Sequence, residues 1–279
     1  MIKRAFALAC GLTLACVASE AQGLKLPQPS PAQTIKQDFG IGSVELSYSR
    51  PAVSGRKVFG DLVPFDKVWR TGANGATTIS FTEDVTIGDK LVPAGKYGLL
   101  SIPSKDSWTI IISKQVNVNQ PALYKQEEDL VRVLVKTMKT PKPVESFTIQ
   151  FSDITPTSCA LQIMWANTAV TLPITTNFDA KVTAQLDQLM KSDKPPYFNA
   201  AMYYMNSGKD LKQAEAWFTK ATEENAGAFW VWHNKAKCEA KMGKNAEAKV
   251  SAQKSLELAK TAGNGDYVAL NEKLLATLK

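Results

Sequence analysis

The sequence runs to 279 residues and carries a net charge of +7, with one histidine and four cysteines. That length can hold two domains, each with a sizeable core, and the composition is ordinary for a soluble globular protein. The basic surplus is thinly spread lysine and gives no concentrated Arg/Lys face of the kind nucleic-acid readers use, so no nucleic-acid partner is expected.

The chain opens with Lys3 and Arg4, then an uncharged, mostly apolar stretch from Ala5 to Ala18, then Ser19-Glu20-Ala21. This is the pattern of a secretory leader, read as residues 1–21 with cleavage near Ala21. The apolar stretch is short for a membrane span, and no transmembrane segment is expected once the leader is gone. Cys16 follows Thr13-Leu14-Ala15, which raises lipidation as an alternative, although Thr13 is a poor match for the aliphatic residue such a signal places there. Loss of Lys3, Arg4 and Glu20 takes the net charge from +7 to +6. Residues 22–32, with Pro27, Pro29 and Pro31, read as an extended spacer.

From residue 33 to 175 the chain reads as short strands. Val44, Leu46 and Tyr48 alternate with polar neighbours, the signature of a half-buried strand. Similar runs follow at 77–81, 85–87, 97–102, 108–113, 131–136, 147–151, 160–165 and 169–172. Ile87–Leu91 and Trp165–Thr168 read as hairpin turns. Nine or so short strands without a long helical period predict an antiparallel β-sandwich, or a barrel-like variant of it. Between strands, Trp69-Arg70-Thr71-Gly72-Ala73-Asn74 fits neither a strand nor a helix period. It predicts an ordered loop held by its tryptophan, with Gly72 permitting unusual backbone angles.

The pattern changes at residue 177, and 177–279 reads as an α-helical module in a separate domain. Val182, Leu186 and Leu189 form one stripe, ended by Pro195-Pro196. Tyr197, Ala200, Ala201 and Tyr204, then Ala214, Trp217, Phe218 and Ala221, recur at helical spacing. Gly208 and Gly243 are 35 residues apart, and Ala214 and Ala248 are 34 apart. This segment resembles tetratricopeptide repeats. Tyr197 and Trp232, Ala201 and Ala236, Gly208 and Gly243, and Ala214 and Ala248 stand at matching positions. Phe218 and Ala221 complete the first copy, whereas the second departs with Ala252 and Ser255, and Tyr267–Leu278 reads as a closing helix.

No catalytic set assembles from the residues. His233, the only histidine, sits on a repeat helix, and Cys238 five residues on lies on another face. Two cysteines and one histidine without paired spacing make no metal site, and no phosphate loop or calcium loop is present, so no cofactor is expected. Cys159 shares a strand face with Leu161, Ile163 and Trp165 and reads as a buried thiol. One asymmetry stands out. After the leader only four arginines remain, and Arg50, Arg56 and Arg70 fall within 21 residues. Guanidinium geometry is bidentate and stacks on rings, which lysine cannot reproduce. The candidate ligand-binding or loop-ordering residues are therefore Arg50, Arg56, Trp69, Arg70, Thr71 and Asn74. One reading makes them a pocket for a carboxylate, phosphate or sugar. The other has the arginines tie loops to backbone carbonyls and to acids such as Asp61 or Asp66.

Tyr48-Ser49-Arg50-Pro51, Gly55–Gly60, Trp69–Asn74, Pro93–Leu99, Ile102-Pro103 and Trp108 occur in an order that resembles the secreted bacterial family called domain of unknown function 2911. The likeness covers about residues 33–175, and the helical extension is similar to that of longer members. Members often carry an acid where Gly75 stands here, so no role for that carboxylate passes to this chain. The resemblance implies the sandwich fold and an exported location, and no activity. The sequence therefore leads to an exported protein, periplasmic or outer-envelope associated, that binds an envelope protein or glycan without catalysis. The alternatives are a carboxylate-dependent hydrolase of envelope glycans or peptides, and a purely structural envelope component.

Overall fold

The computed structural model describes residues 26–279. The leader at 1–21, its cleavage point, Cys16 and residues 22–25 of the spacer lie outside the described residues. The chain divides into two compact units, one through Asn177 and one from Phe178 to Lys279.

The first unit contains β1 (Ala32–Phe39), β2 (Gly42–Ser49), β3 (Thr78–Phe81), β4 (Val85–Ile87), β5 (Lys90–Val92), β6 (Gly95–Pro103), β7 (Ser107–Ser113), β8 (Asp129–Lys136), β9 (Met138–Ser152) and β10 (Ser158–Thr175). Their pairing is antiparallel throughout. Six strands form one sheet in the order β1-β2-β3-β6-β7-β8, and four form a second in the order β5-β4-β10-β9. Both sheets are open, so the unit is a sandwich and not a closed barrel. Alternation explains it. Val44, Leu46 and Tyr48 on β2 and Ile110 and Ile112 on β7 point inward, where they meet Phe147 and Ile149 on β9 and Leu161 and Ile163 on β10 in one buried cluster. Cys159 is free and buried in that cluster, as its strand face predicts, and burial pushes its thiol up to about 11.

Two local expectations change. Trp165–Thr168 is not a hairpin turn. It lies inside the single long strand β10, whose register with β9 shifts on either side of Ala166. Ala166 takes a left-handed φ of 50°, so small and polar residues that suggest a turn here form a β-bulge. The run at β1 is missing from the strands read in the sequence because its residues are mostly polar and only part-buried, apart from Phe39. Ile87–Leu91 does turn as expected, with β4 and β5 paired across Gly88-Asp89.

The second unit is six helices: α1 (Asp179–Leu189), α2 (Tyr197–Asn206), α3 (Leu211–Glu224), α4 (Phe229–Lys241), α5 (Asn245–Thr261) and α6 (Gly265–Thr277). Gly208, Gly243 and Gly263 follow α2, α4 and α5 with φ of 66° to 77°, the left-handed geometry that ends a helix. Asp210 caps α3 by accepting from the Lys212 amide, and Asn264 caps α6 by accepting from the Tyr267 amide. Alanines 201, 214, 236, 248 and 252 are fully buried, and Ala201 and Ala214 share one cluster with Phe218 and Val231. Among the described residues no helix is long and apolar enough to cross a membrane.

Ser255, which breaks the alanine pattern, has a buried partner set. The Asn271 amide nitrogen donates to Ser255 Oγ at 2.8 Å and to the Tyr267 carbonyl at 2.7 Å, and Ser255 Oγ donates to the Phe229 carbonyl at 2.7 Å. Asn271 Oδ1 is left to accept, so the His233 Nδ1 at 2.8 Å carries the proton. Helices α4, α5 and α6 are thus joined by one hydrogen-bonded chain. Burial lowers the His233 pKa below its ordinary 6.5, against the opposing Asn271 bond. The unfolded chain therefore takes up this proton first as pH falls. The stability His233 contributes is full above about pH 6.5 and is lost below it, down through the folded pKa. Melting followed at 222 nm should accordingly show a lower midpoint at pH 5.5 than at pH 7.5, and His233→Gln should remove part of that difference. Glu239, raised by burial, titrates with the opposite sign, so the comparison of the two proteins isolates the histidine. Identical pH slopes would refute the assignment.

Candidate functional site

The segment between β2 and β3, residues 50–77, carries all six candidate residues. Its first part turns back on itself. Phe59 and Val63 form a bridge, and the Gly60 amide donates to the Val63 carbonyl at 2.9 Å. Its second part runs beside β6 where β3 ends. Thr78 pairs with Gly98, and further along β6 the Trp69 amide donates to the Ser101 carbonyl at 2.7 Å while Ser101 returns a bond of 3.0 Å. The loop thus supplies the ladder partner that a longer β3 would have given.

Trp69 enters the space between the sheets. Its ring stacks on Trp165 at 5.9 Å and meets Phe147 edge-on at 5.1 Å, Trp108 at 6.0 Å and Phe59 at 6.4 Å. The indole N–H donates to the Gly72 carbonyl at 3.0 Å, which closes the turn that follows. Gly72 takes a φ of 159°, an angle that side chains rarely allow, and Thr71 and Asn74 beside it are left-handed at 55° and 56°. Gly72 is required for space: a Cβ there would lie 2.9 Å from Thr77 Oγ1 and 3.2 Å from the Ser49 carbonyl oxygen.

The three arginines of this segment each bond at least one backbone oxygen. Arg50 Nε donates to the Phe147 carbonyl at 3.0 Å and its terminal nitrogen to Thr148 Oγ1 at 2.9 Å, which straps β2 to β9. Arg56 donates to the Val53 carbonyl at 3.0 Å and the Ala52 carbonyl at 2.5 Å. Arg70 NH1 donates to the Asn119 carbonyl at 2.8 Å and so ties this loop to the one spanning residues 114–128. Among the described residues the expected ties to Asp61 or Asp66 are not made; Asp66 accepts from Ser104 Oγ instead. Thr71 is fully buried, with its hydroxyl 2.9 Å from that of Ser101. Asn74 is exposed and donates to the Ser30 carbonyl at 3.0 Å.

Arg56, Trp69 and Arg70 line one cleft of about 360 Å³, together with Lys67, Pro121 and Trp165. Arg50, Thr71 and Asn74 do not reach it. Lys67 and Pro121 were not singled out in the sequence; no short motif contains them, and the fold brings Pro121 in from 51 residues beyond Arg70. The 114–128 loop is itself pinned. Gly98 lets it cross β6, because a Cβ there would stand 2.1 Å from the Gln115 carbonyl oxygen. Further along, the Tyr124 hydroxyl bonds Asp129 and accepts from Arg132 at 2.7 Å. Burial first, and then the Asp129 bond, push the Tyr124 phenol up to about 12.

No carboxylate and no histidine lies on the cleft wall among the described residues, nor does any cluster of histidine, cysteine and acids suited to a metal occur among them. His233 belongs to the other unit and is engaged by Asn271. Cys238 is also free and buried, with its thiol pushed up to about 11 chiefly by burial, so it presents no reactive thiolate.

This geometry ranks the residues by their effect on folding. Trp69→Ala removes the ring at the centre of the aromatic cluster and should cost the sandwich roughly 3–5 kcal/mol. Arg50→Ala should cost about 1.5–3 kcal/mol through its two charge-assisted bonds. Lys67→Ala should stay within about 0.5 kcal/mol. Urea titration of the three variants tests the order, and a Trp69→Ala protein as stable as Lys67→Ala would overturn it.

Comparison with curated proteins finds no match, and comparison with solved structures finds none. A family model does match, over residues 30–174, just over half of the chain. Those residues take in the strapped loop, the aromatic cluster and every residue of the cleft. On that match the chain belongs to the family described as Protein of unknown function (DUF2911).

Proposed function

We propose that the protein is an exported, non-enzymatic binding protein of the cell envelope. In this reading the sandwich cleft beside Trp69 is its ligand site, and the helical unit is a tetratricopeptide-like surface for an envelope protein. The leader pattern at residues 1–21 supports export. The observation that carries the binding reading is a pre-formed cleft of about 360 Å³, within the size range of small-ligand sites. Its wall has no paired acids, which counts against the carboxylate-dependent hydrolase. A purely structural component has no need of an open cleft whose walls are fixed from two loops.

A blocking substitution tests the site. Ala73 is half-buried on the cleft wall, and Ala73→Phe should fill it without disturbing Trp69. A thermal-shift panel of envelope glycans, peptides and small anions should raise the melting temperature of the native chain with at least one class, and should not raise that of Ala73→Phe. A panel with no shift, or a shift that survives the blocked cleft, defeats the reading. Turnover of any panel member would replace it with an enzyme.

The helical unit supports a protein contact through the groove at Tyr197, Phe198 and Val231, rimmed by Trp230, which is 39 % exposed. A photoreactive side chain at position 230 should give one discrete protein adduct in cells. If positions 230 and 199 both give none, the contact surface is not there.

A further inference from the structure

We infer that the cleft takes an amphiphilic oxyanion: a carboxylate or phosphate head on a compact apolar body. This rests on reading the cleft as a ligand site. The first observation is charge. Arg56, Lys67 and Arg70 line the cleft, and no acid lines it. Among the described residues none of the three forms an ion pair, whereas Arg132 meets Asp129 at 2.7 Å, Lys209 meets Asp179 at 2.8 Å and Lys244 meets Glu215 at 2.5 Å. Those last three cations each have a carboxylate. The cleft gathers three with none, an arrangement that repels itself until an anion enters.

The second observation is which donors are already engaged. Arg56 has Nε and one terminal nitrogen fixed on the Val53 and Ala52 carbonyls, which sets the plane of its guanidinium and leaves the other terminal nitrogen to donate. Arg70 has NH1 fixed on the Asn119 carbonyl, which leaves its second terminal nitrogen to donate, while its Nε is buried and shut off from the open cleft. An oxyanion oxygen is the acceptor that suits a planar guanidinium donor. Lys67 makes no hydrogen bond or ion pair among the described residues and adds a mobile third charge.

The third observation is the apolar wall. Leu62, Val63, Pro64, Val68 and Pro121 line it, and Ser30 is the one neutral hydroxyl or amide side chain among the lining residues. A neutral sugar needs several such partners and a free ring face. Trp69 has its ring engaged by Trp165, and Trp165 is 1 % exposed. A bare inorganic ion would lose water to this wall and gain nothing from it. A ligand with one charged end and one apolar end satisfies both parts.

The test is calorimetric titration of the leaderless chain with phenyl phosphate and benzoate, set against inorganic phosphate and benzyl alcohol. Phenyl phosphate, benzoate or both should bind at least tenfold more tightly than inorganic phosphate and benzyl alcohol, and which one binds identifies the head group. Binding should weaken as salt is raised. Lys67→Gln and Arg56→Gln should each weaken it severalfold. Lys67→Gln should melt no lower than the native protein, because it removes a like charge and no bond. Equal binding of benzyl alcohol or of inorganic phosphate overturns the inference, as does binding indifferent to both variants. If a neutral glycan or peptide binds instead and Ala73→Phe abolishes it, the cleft stands as a ligand site and the oxyanion assignment falls. If nothing binds in either experiment, both fail.

Discussion

The sandwich depends on the packing of the partly buried Trp69 ring against its core. A segment of 28 residues without a strand of its own, from Arg50 to Thr77, must be ordered between β2 and β3, and ordering a connection that long is costly in chain entropy. Trp69 offsets the cost. Its ring fills the gap between the sheets, stacked on Trp165 and edge-on to Phe147 and Trp108, while its backbone completes the ladder beside Ser101. Large aromatic side chains bury more area than any others and gain further from edge-to-face geometry. One residue therefore closes the core and fixes the path of the loop. The cleft follows directly, because its wall is the outer side of the same aromatic cluster.

The arginines extend that order outward. Arg50 reaches across to β9, Arg56 closes the turn at Ala52–Val53, and Arg70 holds the 114–128 loop at Asn119. Each holds at least one carbonyl oxygen, and Arg56 uses two nitrogens of its planar guanidinium to hold two. This accounts for arginine at these positions in a chain that otherwise uses lysine. It also separates two groups that lie together in the sequence. Arg50, Thr71 and Asn74 are engaged in holding structure, while Arg56 and Arg70 hold structure and also face the cleft.

The strands were legible where the two-residue alternation faced the core, as in Val44, Leu46 and Tyr48. Alternation fails at β1, whose side chains are mostly polar, and at Ala166, where one left-handed residue serves a bulge as readily as a turn. The unusual composition of Trp69–Asn74 marks the loop that lines the cleft. It could not say that Thr71 is sealed beneath the loop while Lys67, two residues before the tryptophan, opens onto the cleft. Nor could it bring in Pro121, since only the fold joins segments so far apart. The helical unit repeats the lesson. Ser255 departs from the repeat pattern and His233 is the lone histidine on a repeat helix, and Asn271, which bonds both, lies 16 and 38 residues away from them.

Structural order and ligand binding are not rival accounts of the arginine loop, because they rest on different atoms of the same residues. A motif can be held in common by a family for its folding role alone, and the bonds to Phe147, Val53, Ala52 and Asn119 are sufficient reason for three guanidiniums. Those bonds leave unexplained the absence, among the described residues, of any acid on the wall and of any partner for Lys67, set between the two arginines. Folding gains nothing from these features, and by charge repulsion it loses a little. Features that burden the folded state and converge on one open space are the mark of a site shaped for something that enters it. On that ground the proposed ligand site rests on the donors this fold leaves free, the second terminal nitrogens of Arg56 and Arg70 and the ammonium of Lys67.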